Sequence, residues 1–160
     1  MGLINFAKYV GKLKRVKRTG WLVAGIKNPE SVAEHSFRLA ILCMILGDRL
    51  KLNTEKFIKM ALTHDLTESV VGDLVLERGR KRVMSLKKKF KLESDAVEKI
   101  FSEIENSQEY IKLWREFQEQ KTPEAQLLKQ LDKFEMVIQA LEYEGKVNSK
   151  KLDEFWINAR

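Results

Sequence analysis

The segment from residue 31 to residue 50 constrains the fold of this 160-residue chain more than any other. It opens with Ser31 and Glu34 at the spacing of a capping box, in which two side chains satisfy backbone N–H groups at a helix start. The residues that follow are apolar on nearly every side from 39 to 46, as is typical of a helix buried within a bundle. We therefore predict a central, buried helix over residues 32–50.

Most of the remaining chain also repeats apolar residues at intervals of three and four, which places them on one face of a helix. Residues 18–29 are an exception, because they carry turn residues and too little periodicity to predict an element. No alternating pattern typical of strands is sustained. The sequence therefore predicts an all-α fold, a single-domain bundle of about six or seven helices over residues 1–160. Besides the central helix, we expect helices at about residues 3–17, 54–64, 92–104, 110–117, 123–144 and 152–156.

Composition narrows the class of protein. Cys43 is the only cysteine and lies in an apolar run, so no intrachain disulfide can form and we expect a packed thiol in a reducing compartment. The longest uncharged stretch, residues 39–47, is much shorter than the roughly 20 residues that span a bilayer. The first residues lack the pattern of a secretory signal. We therefore expect a cytoplasmic protein without a membrane-spanning segment.

The charge of the chain admits an anionic partner. A net charge of +7 and a pI near 9.4 suit either a phosphorylated small molecule or a nucleic acid. Many basic residues fall between 78 and 91. We interpret this basic stretch as a solvated surface, with a cover over a binding site as the alternative.

Two histidines and several acidic residues form a candidate metal site. His64 and Asp65 end an apolar helical run, and Glu68 shares their helix face because three or four residues make about one turn. The other histidine, His35, lies in the first turn of the predicted central helix, where an unpaired ring is costly to bury. Asp132 flanks the apolar stripe of a third helix. Two imidazoles and two carboxylates suit Mn, Co, Fe, Ni or Zn better than Ca.

Each of these residues also has a purely structural interpretation. A histidine near a helix start is often a satisfied structural residue, and His64 with Asp65 could form a surface ion pair. Asp132 could pair with Lys129 or Lys133, which lie on the same helix. Spacing alone leaves both interpretations open.

The same residues resemble a known family. Glu-His-Ser at 34–36, His-Asp-Leu-Thr-Glu at 64–68, Gly-Asp at 72–73 and Leu-Asp-Lys at 131–133 resemble the H…HD…D signature of the HD superfamily of metal-dependent phosphohydrolases. The segments 14–21, 29–36 and 72–74 resemble its 5′-deoxynucleotidase branch more specifically. The resemblance runs from about residue 13 to residue 145 and implies an HD-type helical bundle.

The resemblance implies a role for each candidate residue. Four residues would hold one divalent metal, which could be Co, Mn, Zn, Fe, Ni or Mg: His35, His64, Asp65 and Asp132. Glu68 would orient or deprotonate the attacking water. Asp73 would contact the substrate or transfer a proton, and Arg18 would bind the phosphate, for which a guanidinium fork is better suited than a lysine.

Trp21 is the residue at which the chain departs from the family pattern. In some members a tryptophan directly follows the phosphate-binding arginine and helps to select the sugar. Here Thr19 and Gly20 intervene. Trp21 is therefore either a substrate-binding residue or an ordinary core residue.

We predict an enzyme that hydrolyses nucleoside 5′-monophosphates, with deoxyribonucleotides preferred, to nucleoside and phosphate through metal-activated water. Another phosphoester, either a nucleoside triphosphate or a cyclic dinucleotide, is the first alternative. A basic helical nucleic-acid-binding module that uses residues 78–91 is a weaker alternative, because it leaves the candidate metal-binding residues unexplained. A scaffold with a purely structural metal is another alternative, but it leaves Glu68 unexplained. The family resemblance and apolar residues on peripheral helices also predict a homodimer, with Trp114, Phe117 and Trp156 as examples.

Overall fold

The computed structural model of the chain describes residues 2–75, 77–78, 81–82, 84–105 and 107–158. This part of the chain is built from helices, with one antiparallel pair of two-residue strands, β1 (Glu77–Arg78) and β2 (Lys81–Arg82). The all-α prediction is confirmed. Its α-helices are α1 (Gly2–Leu13), α2 (Thr19–Ala24), α3 (Val32–Leu50), α4 (Thr54–Thr63), α5 (Glu68–Val71), α6 (Leu86–Phe101), α7 (Gln108–Glu119), α8 (Pro123–Glu142) and α9 (Asp153–Asn158).

Local capping explains where three of the predicted helices begin. Ser31 and Glu34 form the predicted capping box, in which each side chain accepts a hydrogen bond from the other residue's backbone N–H. Asn53 caps α4, and Thr122 caps α8 with Pro123 as the first helical residue. Each such cap stabilises its helix by about 1 kcal/mol. These starts lie within a residue of their predicted positions because all their partners are local.

Three helices differ from the prediction, the first because α1 ends at Leu13 rather than near residue 17. Residues 19–24 form α2 where no element was expected, and a distant residue supports its start: the Asp73 carboxylate accepts a hydrogen bond from the Thr19 backbone N–H at 2.5 Å. Helix α6 begins at Leu86 rather than near residue 92, with Ser85 as its cap. Its Lys-rich first turn obscured the apolar period. The unpredicted α2 and the four-residue α5 bring the described α-helices to nine.

Helix α3 is central but not buried on every side, so that part of the prediction is wrong. Leu39 and Cys43 are fully buried against α4 and α8, whereas Phe37, Ile41 and Ile45 are 67%, 42% and 58% exposed. The apolar residues of α3 therefore lie on two faces of the helix. One face belongs to the core and the other faces solvent.

In the described part of the chain, the buried apolar residues form three clusters. The largest joins α3, α4, α7 and α8 through residues such as Leu39, Phe57 and Leu128, each of which stabilises the fold by about 1.5–3 kcal/mol when fully buried. Trp114 is buried in the second cluster and Phe117 in the first. These two residues therefore cannot form the predicted dimer surface.

Two further expectations concern membranes and the basic stretch. Among the described residues, the structure contains no helix of the length and apolarity needed to cross a membrane.

The basic stretch lies partly outside the described residues. Within it, the Lys89 ammonium group donates a hydrogen bond to the Leu74 carbonyl oxygen at 3.0 Å, so at least one of its lysines faces the candidate site described next.

Candidate active site

His35 enters the site from the first turn of α3. Its ring is fully buried, and its Nδ1 lies 2.5 Å from a carboxylate oxygen of Glu135 on α8. A carboxylate accepts a hydrogen bond, so Nδ1 carries the proton and Nε2 carries the lone pair of a neutral ring. The capping box at Ser31 fixes where α3 begins and thereby where this ring lies.

His64 enters from the other side, at the C-terminal end of α4. Its Nδ1 lies 2.7 Å from the Ala61 carbonyl oxygen, which can only accept a hydrogen bond. The Nε2 lone pair of the neutral ring therefore points away from its own helix. The Nε2 atom lies 3.1 Å from an Asp65 carboxylate oxygen, but the two groups are not aligned for a hydrogen bond.

The four predicted metal ligands come together. His35 Nε2 lies 3.4 Å from an Asp132 carboxylate oxygen and 3.8 Å from one of Asp65. The ligating atoms of His35, His64 and Asp132 all lie within 4.8 Å of one another. Asp65 approaches both rings at the edge of this group.

The chemistry of this cluster fits a cation. Within the described part of the chain, neither His35 Nε2 nor His64 Nε2 has a hydrogen-bond partner, although both are buried. Each Nε2 faces carboxylate oxygens. For a neutral ring this arrangement is unfavourable unless a metal lies between the nitrogen and the oxygens. Burial alone would raise the pKa of Asp65, but His64, Arg18 and His35 hold it well below its usual range. The mixed N/O donor set suits a divalent transition metal.

Glu68 lies one helical turn beyond the paired residues, at the start of α5. It is buried, and within the described chain its Oε2 has no hydrogen-bond partner. Burial, with Asp65 and Asp73 nearby, raises the pKa of Glu68 well above its usual range. The carboxylate is therefore a stronger base than a surface glutamate, and it lines the same pocket as Asp65 and Asp132.

Arg18 reaches across the site from the residue before α2. Its guanidinium lies 3.1 Å from Asp65 and 4.0 Å from Asp132. Burial lowers the pKa of Arg18, but the surrounding carboxylates outweigh this effect and raise it, so the group is a permanent cation. Asp73, by contrast, is already bonded to Thr19, through both its carboxylate and its backbone carbonyl oxygen.

Trp21 is a buried residue that borders the pocket. Its ring stacks on Phe155 with centroids 3.9 Å apart, and its indole N–H donates a hydrogen bond to Glu30 at 2.9 Å. The indole N–H is therefore already used and is not free to bind a ligand in the pocket. The pocket has a volume of about 280 Å³ and is lined by Trp21 together with Arg18, Asp65, Glu68, Asp73 and Asp132, among others.

Two supporting residues are also present. The sequence analysis considered Lys129 only as a structural partner of Asp132. In the structure, the Lys129 ammonium group donates a hydrogen bond to one Asp132 carboxylate oxygen at 3.1 Å. The other carboxylate oxygen of Asp132 faces His35. The sequence analysis missed Glu135, which binds the opposite nitrogen of His35. Its position three residues after Asp132 places it on the same helix face, and this spacing could have identified it.

Comparison with known proteins identifies the family. The 5′-deoxynucleotidase HDDC2 of Danio rerio is 40% identical over 161 residues, covering 98% of this chain and 77% of that protein. The 5′-deoxynucleotidase hdd1 of Schizosaccharomyces pombe is 36% identical over 157 residues, covering 94% and 77%. The crystal structure of the PH0347 protein from Pyrococcus horikoshii OT3 matches with a TM-score of 0.80 at 39% identity, covering 96% of this chain and 84% of that chain. Since the HD-domain family model also matches residues 10–159, this chain belongs to the HD-domain family.

Proposed function

We propose that this protein hydrolyses deoxynucleoside 5′-monophosphates to nucleoside and inorganic phosphate. The observation that carries the proposal is a pocket lined by two aspartates, a buried glutamate and an arginine, with the aspartates facing the buried Nε2 atoms of two histidines. Similar proteins named 5′-deoxynucleotidases cover nearly the whole chain and support the choice of substrate.

Four residues would hold one divalent metal: His35, His64, Asp65 and Asp132. Such an ion supplies Lewis acidity that offsets phosphoryl charge and makes water a better nucleophile. The bond between Glu135 and His35 Nδ1 would keep the opposite nitrogen of that ring available as a ligand. The Lys129 bond would orient Asp132 in a similar way.

Glu68 is proposed as the base that takes a proton from the attacking water. Its buried carboxylate with a raised pKa suits proton transfer near neutral pH, because a general base works best when its pKa lies near the operating pH. Arg18 would bind the phosphoryl oxygens through charge-assisted hydrogen bonds. Asp73 would contact the sugar or relay a proton from the edge of the pocket, and the Trp21 ring would border the sugar.

The test is phosphate release from deoxynucleoside monophosphates with added Co or Mn, by the wild-type protein and Glu68→Gln. We expect Glu68→Gln to lower kcat by about 10²–10⁴-fold, the usual contribution of a general base, while metal binding is retained. Glu55→Gln on the solvent-facing side of α4 is a matched control and should behave as wild type. The proposal fails if the wild-type protein releases no phosphate, or if Glu68→Gln remains fully active. Nucleoside triphosphates and cyclic dinucleotides in the same assay test the alternative substrates.

We also propose a homodimer that pairs through the exposed face of α3. Phe37, Ile41 and Ile45 recur at intervals of four and therefore form one solvent-facing apolar stripe. Light scattering should give twice the chain mass for the wild-type protein and the monomer mass for Ile41→Asp. Leu3→Asp, on the exposed side of α1, should remain dimeric. A monomeric wild type would refute this interface.

The proposed substrates are intracellular metabolites, which supports the expected cytoplasmic location.

A further inference from the structure

A second cavity adjoins the active-site pocket. It has a volume of about 440 Å³, and Lys89 and Lys129 line both spaces. The active-site pocket alone, at about 280 Å³, is slightly smaller than the roughly 300–1,000 Å³ of typical small-molecule sites. The inner pocket must also hold the metal and the phosphoryl group. A nucleotide therefore needs further space, and the second cavity, which shares two lining lysines with the first, offers that space.

The Lys129 side chain contacts residues of both spaces. The Phe117 ring lines the second cavity, and its centroid lies 5.3 Å from that of the His64 ring. The Lys129 ammonium group lies 5.6 Å from the same Phe117 centroid and 3.1 Å from Asp132. A group bound beside Phe117 would therefore lie next to Lys129, whose ammonium group also contacts Asp132.

The walls of the second cavity suit a flat ring. Phe90 on α6 is 49% exposed, although a phenylalanine is usually buried, and it stacks on Trp114 with centroids 5.8 Å apart and a 28° angle between the rings. Phe117 contributes a second aromatic surface, and Gln118 an amide that can both donate and accept hydrogen bonds. Nucleobases are recognised by this combination of aromatic stacking and edge hydrogen bonds.

The charges argue against a chain of further phosphates in this space. Lys89 lies 3.6 Å from Glu93, and Lys129 lies 3.1 Å from Asp132, so a carboxylate balances each lysine. Glu93 itself lines the cavity and can accept a hydrogen bond but cannot attract an anion. A neutral planar group with N–H donors on its edge fits these residues best.

We propose that this cavity binds the nucleobase of the substrate whose phosphate lies at the metal site. Phe90 provides the stacking surface, and Glu93 and Gln118 bind the edge of the base. This assignment rests on the proposed nucleotidase function. It adds a residue that distinguishes a nucleotide from a simple sugar phosphate.

The test compares deoxynucleoside monophosphates with 2-deoxyribose 5-phosphate, which lacks a base, for the wild-type protein and Phe90→Ala. We expect Phe90→Ala to lower kcat/KM for the nucleotides by roughly 5- to 100-fold, the usual effect of losing one stacked base contact, and to leave kcat/KM for the sugar phosphate unchanged. Phe134→Ala is the matched control. Phe134 is 50% exposed and lies two residues after Asp132, so it is turned about 200° away around α8. It should alter neither substrate.

Equal losses for both substrates, or no loss for either, would overturn the base assignment. Absence of phosphate release from both substrates by the wild-type protein would instead refute the proposed hydrolysis. In that case, calorimetry on Mn-loaded Glu68→Gln still tests the cavity. Adding Phe90→Ala should weaken deoxynucleoside monophosphate binding by a similar factor, and an unchanged Kd would overturn the assignment.

Discussion

The bond between Glu135 and His35 leads to the most specific prediction about the metal site. Glu135 is completely buried on α8, one of its oxygens lies 2.5 Å from His35 Nδ1, and the other lies 3.5 Å from Arg38. The carboxylate fixes the ring so that Nε2 faces Asp132. It also makes that nitrogen more basic, and therefore a better metal ligand.

The expected magnitude follows from this contact. Removing a group that orients a metal-binding histidine typically lowers metal affinity by about 10- to 100-fold, or about 1.4–2.7 kcal/mol. Glu135→Ala removes the hydrogen bond and the charge, so we expect a loss near the upper end. Glu135→Gln keeps an acceptor for the Nδ1–H but loses the charge, so we expect a loss near the lower end.

The assay is metal affinity for Mn or Co, measured by calorimetry on protein freed of metal. Glu142→Gln is the matched control, because Glu142 lies on the same helix and binds the same Arg38 at 3.1 Å but does not contact His35. Its affinity should equal that of the wild-type protein. If Glu135→Ala binds metal as tightly as wild type, His35 is not held as a ligand by this carboxylate.

Three further predictions concern substrate binding, pH and the thiol. Arg18→Lys should lower kcat/KM for phosphomonoesters by about 10- to 100-fold, because an ammonium cannot form the paired hydrogen bonds of a guanidinium; unchanged kinetics would contradict phosphate binding there. Burial lowers the pKa of His64, but the nearby Asp65 carboxylate outweighs burial and raises this pKa. Protons therefore compete with the metal for the ring, and the apparent metal affinity should fall by about tenfold per pH unit below the pKa of His64. A metal affinity that does not change with pH would contradict this prediction. Burial raises the pKa of Cys43 to about 12, so iodoacetamide at about pH 8 should label the unfolded protein but not the native one, and equal labelling rates would show an accessible thiol.

The sequence by itself determined the features that depend on neighbours in the chain. The caps at Ser31, Asn53 and Thr122 place helix starts within one residue, because their hydrogen bonds close over three positions. Apolar spacing was sufficient to predict the all-α class. The residue types and spacing around His64 also predicted that Asp65 and Glu68 would lie at one site, because residues three and four positions apart share a helix face.

Tertiary structure decided the features that depend on distant partners. Helix α2 begins at Thr19 because Asp73 binds it from 54 positions away, which no local pattern could predict. Packing of α3 against α8 pairs His35 with Glu135, 100 positions apart, and so determines which ring nitrogen is left for a cation. Packing of α7 against α6 buries Trp114, whereas Ile41 on α3 is exposed, although both belong to apolar runs. Periodicity shows which residues share a helix face, but only the arrangement of helices decides what that face contacts.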